Sequence, residues 1–512
     1  MLAMLFGCEN RSGEDPIVST VEGRTSSSAD DSEQGAEADA GQAAGRTATP
    51  SGDFPEPSSI GISLPDAADR FPVILIVLDT LRADHLGCYG YSRPTSPRID
   101  ELARTATLYV NARSTAAWTL PSHASLFTGL YPFQHGAITF SEAFRKQHEK
   151  DLVQNVNRLS TEHVTLAEVF KKLGWMTAAV AANVAYLAPT YQLDQGFAHY
   201  DARAGNAREI NQRVFDWLRQ RGGRSSDPFF LFLNYTETHR PYYCKNRPDF
   251  LKKPVPFNSV ENLDKAGEIL MGTDDPVPED LMRTITDQYD LAIRNLDEAL
   301  GELFDGLKEK ELWESSLIVV TSDHGELFGE HRLMEHSKDV YEAVLRVPLI
   351  VKDRDQTGGA REERDFSLVE LPSLILFKCG LLEAARKGGA FLENWNELEL
   401  LAENHFSRPK DLEQPWGKRF QRERFVIYEG AYKLIHSTDG QHELYDLLSD
   451  PSESGNLFAS HPQIAARMQQ RLLELHGAHA RPIKLSSGAS LTAEELKMLE
   501  AMGYSEGSES KK

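Results

Sequence analysis

Residues 72 to 78 read Pro-Val-Ile-Leu-Ile-Val-Leu, a run without one polar side chain. A strand built from it has no face to offer water, so it must be covered on both sides, as the central strands of parallel sheets are. The run ends in Asp79, at the carboxyl end of the strand, where open α/β sheets bind their ligands. The same design recurs downstream. Thr165–Leu173 predicts a helix, followed by Gly174 and a strand over Met176–Ala182. Asn211–Gln220 predicts a helix and Pro228–Leu233 a strand. From Met282 to Leu312, the residues Leu291, Leu296, Leu300, Leu303 and Leu307 keep a helical period, and Leu317–Val320 then reads as a strand ending in polar residues. Alternating strands and helices predict an α/β fold with a large, mostly parallel sheet sandwiched by helices.

The pattern loosens after the apolar stretch Pro348–Val351. Short strands over Phe425–Tyr428, Tyr432–His436 and Glu443–Asp446, then a helix over Pro462–Leu475, predict a small C-terminal antiparallel α+β subdomain. No internal repeat is present. Residues 9 to 70 hold 13 acids and 4 bases, which leaves −13 of the net charge of −22 for the rest of the chain. That segment is Ser, Gly, Ala, Asp and Glu with scattered Pro, too poor in apolar surface to offset its ordering entropy, and is expected to be a disordered acidic tether. The acidity also argues against a nucleic-acid partner, which would need a basic face.

The four cysteines form no disulfide framework, and Cys88, Cys244 and Cys379 show no metal-ligand spacing. Cys8 ends the run Met-Leu-Ala-Met-Leu-Phe-Gly-Cys, and its Leu-x-Gly-Cys resembles a bacterial lipobox. No basic residue precedes it, and the apolar run is shorter than the roughly 7–15 residues of a signal core. Two readings stand: a start placed too late ahead of a lipid anchor, or an accidental match. The first gives a membrane tether through Cys8, and the expected location is the cell envelope or outside the cell. No other stretch approaches the ~20 apolar residues of a bilayer span. The expected organisation is a truncated lipoprotein signal over 1–8, the tether over 9–70, a catalytic α/β domain over 71–400, the small subdomain over 401–485 and a tail over 486–512.

Three segments concentrate polar residues at strand or helix ends: Asp79-Thr80-Leu81-Arg82-Ala83-Asp84-His85, Trp118-Thr119-Leu120-Pro121-Ser122-His123, and Thr321-Ser322-Asp323-His324-Gly325-Glu326. One Asp after a strand is commonly a turn residue. Two carboxylates and an imidazole at strand ends facing one edge point instead to calcium, magnesium, manganese or zinc.

These segments carry a resemblance to the sulfatase family, within the alkaline phosphatase superfamily of metal-dependent hydrolases. It rests on Leu78–Gly90, Leu120–Pro132, Ser322–His331, Arg346–Ile350, and the late pieces Tyr432–His436, Glu443–Leu447 and Asp450-Pro451, and it covers roughly residues 71 to 475. The resemblance implies an alkaline-phosphatase-like fold, one divalent metal ion, and a sulfuric or phosphoric ester as substrate. It implies Asp79, Asp323, His324 and Thr119 as metal ligands.

The sequence departs from the family at one telling place. Sulfatases carry a Cys or Ser, converted to formylglycine, ten residues before a Thr-Gly glycine. Counting back from Gly129 gives Thr119, with Pro121 and His123 in the proline and arginine positions. Threonine is not a substrate for the known formylglycine conversion. Relatives with threonine here, among them alkaline phosphatases, nucleotide phosphodiesterases and lipid-headgroup phosphotransferases, use it as a nucleophile on phosphorus. The resemblance therefore implies Thr119 as nucleophile, in place of a plain helix cap, and helix amides cradling the anion.

His239, in His239-Arg240-Pro241, matches a family histidine that contacts the substrate ester, and it is expected to protonate the leaving oxygen or activate water. His123, standing for an arginine, is expected to bind an anionic oxygen and to add charge when protonated. His336 falls near a family lysine that contacts sulfate, and Lys338 is an alternative source of that charge. Asn183 occupies a region where many arylsulfatases carry Lys and His, so it and Arg82 are expected substrate contacts. Thr80 stands where many sulfatases have a second aspartate ligand, and no Asp-x-x-x-His set for a second metal is found. Metal and histidines are expected to supply the local positive charge. The expected substrate is a small-molecule, glycan or lipid-headgroup ester, with specificity in Tyr242–Glu279 and Arg354–Arg364. The alternatives are a phosphotransferase to an alcohol acceptor, or a catalytically inactive, sulfatase-like binding protein.

Overall fold

The computed structural model describes residues 70–147, 156–222, 227–242, 251, 259–390, 399–407, 409–479 and 485. All of them belong to one compact unit, Ala48–Lys512. Cys8, the acidic tether and the tail beyond 485 lie outside the described residues, as do parts of Tyr242–Glu279.

The apolar run forms strand β1 (Val73–Leu78), buried along its whole length. Its side chains alternate between two cores. Val73, Leu75 and Val77 point to one face, where they join Leu120, Ala124 and Phe127 of the helix Thr119–Thr128 and Leu166, Val169 and Phe170 of the helix Leu166–Lys172. Ile74, Ile76 and Leu78 point to the other, against Ile210 and Val214 of the helix Ala207–Gln220 and Leu296, Leu300 and Leu303 of the helix Glu279–Glu309. This two-sided packing is what an unbroken aliphatic strand requires.

Seven further strands complete the large sheet: β2 (Thr107–Arg113), β3 (Met176–Ala181), β4 (His199–Ala202), β5 (Phe229–Tyr235), β6 (Leu317–Thr321), β9 (Leu349–Lys352) and β10 (Ala360–Ser367), the numbers β7 and β8 belonging to the short hairpin Leu327–Phe328 and Met334–Glu335. Their order is β10-β2-β9-β6-β1-β5-β3-β4. All neighbours run parallel except that β9 is antiparallel to both β2 and β6. Register aligns Val77 with Asn234 of β5 and with Thr321 of β6, so the carboxyl ends of β1, β5 and β6 open on the same edge.

One expectation about specificity is overturned by this register. Ala360 pairs with Thr107, Thr107 with Val351, and Ile318 with Lys352. Residues 354 to 360 therefore sit at the amino ends of β1 and β6, opposite the edge that carries Asp79. From Ala360 on, the segment is not a loop at all but strand β10.

The C-terminal residues form a four-stranded antiparallel sheet, β11 (Leu401–Asn404), β12 (Arg424–Glu429), β13 (Tyr432–Ser437) and β14 (Glu443–Asp446). The helix Pro462–His479 covers it, with Ala465, Met468 and Leu472 packed on Ile427 and Leu434. This sheet is fastened directly behind the helix Thr119–Thr128. Glu403 N donates to Thr115 O at 2.9 Å, and Asn404 Nδ2 donates to Ser337 O. No described helix is long and apolar enough to cross a membrane.

Candidate active site

The chain leaves β1 through a turn that few sequences tolerate. Thr80 has φ of 60°, a left-handed conformation that is costly for a β-branched residue. The turn is held from three directions. Thr80 N donates to Asp323 Oδ1 at 3.2 Å, Tyr289 Oη donates to Thr80 O at 2.7 Å, and the Thr80 hydroxyl lies 2.5 Å from Thr238 O. The result aims Asp79 across the sheet edge at the residues following β6.

Asp79, Asp323 and His324 are fully buried, and one ligand atom from each lies within 4.8 Å of the others. His324 Nδ1 donates to Gly325 O at 2.9 Å, which leaves the Nε2 lone pair facing inward. That Nε2 sits 3.5 Å from Asp323 Oδ2 and 3.9 Å from Asp79 Oδ1. Neither of those carboxylate oxygens has a hydrogen-bond partner. Three electron-rich atoms converge with no proton between them, an arrangement that only a cation or added protons can stabilise. Burial, and then the charge of Asp323, push Asp79 up to about 8, and burial pushes Asp323 up to about 7. Carboxylate oxygens plus one imidazole suit a hard or borderline divalent ion, so the donor set fits the expected metal.

Thr119 is the first residue of its helix and is fully buried. The cap position belongs to Trp118, so the plain-cap reading of Thr119 is excluded. Its Oγ1 instead lies 3.5 Å from His324 Nε2. The helix is locked in this position because Ser122 Oγ donates to Asp323 O at 2.6 Å.

His239 and His336 line the same space. Their rings are 5.0 Å apart, and His336 is 4.6 Å from His324. His239 Nδ1 is committed to Arg240 O at 2.8 Å and His336 Nδ1 to Glu326 Oε1 at 3.0 Å, so each ring turns its Nε2 edge away from those anchors. The segment carrying His336 is strained: His331, Arg332, Glu335 and Ser337 all have φ between 52° and 63°. Strain of that kind, about 1–3 kcal/mol per residue, persists where surrounding structure enforces it. Here Ser337 N is tied to Ala117 O at 2.9 Å, two residues before Thr119.

Several expected roles are corrected. His123 does not supply a charge. Its Nδ1 binds Thr119 O one helical turn back at 2.9 Å, its ring is wedged edge-on against Phe127 and Phe232, and burial holds its pKa down to about 3. His239, driven down to about 3 by burial, is neutral as well. Arg82 gives its guanidinium to Asp84 at 2.7 Å, Glu330 at 2.6 Å and Glu326 O at 2.9 Å, so it closes a structural network and leaves the substrate. Lys338 is fully buried beside Glu335 and Asp411, at 3.4 and 3.8 Å. Asn183 contacts Asp79 rather than open space, with Nδ2 2.7 Å from Asp79 Oδ2. Neither His123 nor His239 supplies positive charge to this site.

The sequence reading gave no role to Glu326, Thr238, Asn234 or Tyr289. Glu326 stands in the quoted Ser322–His331 segment, which was the available signal. Tyr289 lies on the apolar face of a long helix, where nothing marks it out.

Gly325 is required by space. A Cβ there would come 2.2 Å from Ala343 O, the backbone atom that accepts from Glu326 N at 3.2 Å, while Gly325 N donates to Val344 O at 2.7 Å. Gly325→Ala is expected to destabilise the protein by roughly 1–3 kcal/mol. It should also weaken metal affinity, because Gly325 O fixes the His324 tautomer. Thermal unfolding with and without added metal measures both effects.

Comparison with known proteins agrees with this geometry. Residues 72–376 match the family described as Sulfatase. The multifunctional alkaline phosphatase superfamily protein PehA of Trinickia caryophylli is 26% identical, over 80% of this chain and 96% of its own length. Arylsulfatase K of Bos taurus is 23% identical over 80% of this chain and 81% of its own. The phosphonate monoester hydrolase of Agrobacterium radiobacter shares the fold, with a TM-score of 0.60 at 19% identity, over 80% of this chain and 96% of that one.

Proposed function

The chain belongs to the sulfatase family of ester hydrolases acting on sulfuric or phosphoric esters, and on that premise we propose that it cleaves its ester through Thr119 at a single divalent metal ion. The carrying observation is the convergence of Asp79 Oδ1, Asp323 Oδ2, His324 Nε2 and Thr119 Oγ1 on one buried point. Bound there, a divalent ion would polarise the ester oxygens and favour the alkoxide form of Thr119, contributions worth several kcal/mol.

The residues of this chain supply the rest. Thr119 Oγ1 attacks phosphorus or sulfur while the bond to the leaving oxygen breaks. The Nε2 of His239 or His336, an acceptor because each Nδ1 holds the ring proton toward Arg240 O or Glu326 Oε1, takes the Thr119 proton during the attack and passes it to the departing alcohol. Water then attacks the phosphorus or sulfur bound to Thr119, the bond to Oγ1 breaks, and the hydroxyl regains its proton. A threonine ester lacks the second hydroxyl by which a formylglycine hydrate expels sulfate, so this second step must be a displacement by water. That requirement favours phosphate and phosphonate esters over sulfate esters. The shared fold of a phosphonate monoester hydrolase is consistent with a phosphorus ester as substrate. The substrate class is a small-molecule or glycan ester. A cell-envelope or extracellular setting, with Cys8 as attachment point, completes the proposal.

Parallel assays of an aryl sulfate, an aryl phosphate and a bis-aryl phosphate, each with and without a chelator, test this reading. Phosphorus esters should be turned over faster than the sulfate, and chelation should abolish all activity until metal is restored. Undiminished turnover in the chelated protein would contradict it.

A further inference from the structure

We propose that Asn183 is a positioning residue for the metal ligand Asp79, fixing which carboxylate oxygen faces the metal, and is not part of a substrate clamp. The inference rests on the single-metal reading above. Both ends of the Asn183 side chain are engaged inside the protein, and the residue is fully buried. Its Nδ2 donates to Asp79 Oδ2 at 2.7 Å, while its Oδ1 accepts from Ala185 N at 3.1 Å and Tyr186 N at 3.0 Å. The backbone is fixed too, because Asn183 N donates to Asn234 Oδ1 at 2.9 Å. Asn234 itself sits in register with Val77 of β1 and Ala181 of β3. A chain of amides therefore runs from the middle of the sheet to one oxygen of Asp79.

The other oxygen, Oδ1, is the one left without a partner and facing His324 Nε2. Asp79 is thereby divided into an anchored oxygen and a presented one. A carboxylate free to rotate could offer either or both oxygens and would lose side-chain entropy on binding the ion. Anchoring removes that freedom in advance, and partners of this kind typically alter metal affinity by about 10–100-fold.

The test substitutes Asn183→Ser. A serine hydroxyl can still accept a backbone N–H of the turn, so the loop keeps its local cap, but it is too short to reach Asp79. Manganese or calcium affinity is measured by calorimetric titration of the chelator-treated full chain, alongside kcat and KM at saturating metal. The expected result is a metal Kd raised about 10-fold or more, with KM unchanged and kcat recovered as metal is increased. A raised KM with unchanged metal Kd would overturn the proposal and restore Asn183 to the substrate. Unchanged Kd and KM would overturn it as well. Wild-type protein that binds none of manganese, calcium, magnesium and zinc would instead sink the metal reading on which the proposal stands. Asn183→Ala, which also removes the cap, serves as a control, and thermal unfolding in chelator identifies any loss of fold. If Asn183→Ala raises Kd no more than Asn183→Ser, the bond to Asp79 carries the effect. If only Asn183→Ala raises it, the loop cap carries it and the proposal fails.

Discussion

Thr119→Ala should lower kcat on every ester substrate by at least about 1,000-fold, the scale seen when a covalent nucleophile is removed. Metal affinity should fall by no more than about tenfold, because Asp79, Asp323 and His324 remain. The structural cost should be small. Thr119 makes no cap bond, and the helix is held to Asp323 O by Ser122. Thr119→Ser restores a hydroxyl at the same place and should recover much of the activity, which a purely structural role for the threonine methyl would not allow. Measured kcat, metal titration and unfolding of the three proteins separate loss of chemistry from loss of the site. Turnover that survives in Thr119→Ala would mean that water is activated directly.

The second large effect has opposite signs for function and for stability. Asp323→Asn should abolish metal binding and activity, yet raise the stability of the metal-free protein near pH 8 by on the order of 2 kcal/mol. The substitution keeps the acceptor that receives Thr80 N and His324 N. It replaces the unpartnered Oδ2 by an amide that can donate toward His324 Nε2, 3.5 Å away, and it removes one of two buried like charges. The pH dependence follows from the raised carboxyls. Unfolded aspartates release their protons near about pH 4, whereas folded, metal-free Asp323 and Asp79 hold theirs to about 7 and 8. The folded state thus binds more protons at these two groups across that interval, so their contribution to metal-free stability is greatest below about pH 4 and is lost as pH rises through 7 and 8. Saturating metal should reverse the trend, and Asp323→Asn should flatten it. Thermal unfolding from pH 5 to 8.5, with chelator and with metal, is the measurement. A metal-free wild type that loses no stability relative to Asp323→Asn as pH rises from 5 to 8.5 would contradict the electrostatic account of the site.

Where the sequence could be read, a single physical rule governed the residue pattern. The stretch Val73–Leu78 is aliphatic throughout because it is covered on both faces, and Leu291 to Leu307 keep a helical period because one face of that helix is buried. Strands β2 and β10 escaped notice because they mix polar and apolar residues; β10 is an edge strand, Ala-Arg-Glu-Glu-Arg-Asp-Phe-Ser, whose outer half is exposed. The antiparallel insertion of β9 is also invisible in its residues, since Leu-Ile-Val-Lys says nothing of direction.

The site divides along similar lines. That Asp79, Asp323 and His324 lie together was legible from their places at strand ends, and Thr119 was singled out by its spacing from Gly129 in the sulfatase-like segment. The roles of Arg82, Lys338, His123 and Asn183 were not legible, because each depends on partners distant in sequence: Glu330 for Arg82, Asp411 for Lys338, Phe232 for His123 and Asp79 for Asn183. A cationic residue in a conserved-looking motif suggests an anion contact, whereas the fold gives two of these cations to carboxylates of its own. The consequence for chemistry is direct. With His123 and His239 neutral and Arg82 and Lys338 paired with acids, the proposed reaction needs its balancing charge from a bound metal.

The central claim is that Thr119 itself becomes bonded to the transferring group. Acid quenching of the metal-loaded protein during turnover of a bis-aryl phosphate, followed by peptide mass spectrometry, tests it most directly. The account predicts one arylphosphoryl adduct, the second aryl group having left, on the peptide that contains Thr119 and localised to that residue, absent in Thr119→Ala and formed at the rate of the first turnover. An adduct carried by any other residue, or one that persists in Thr119→Ala, would contradict it.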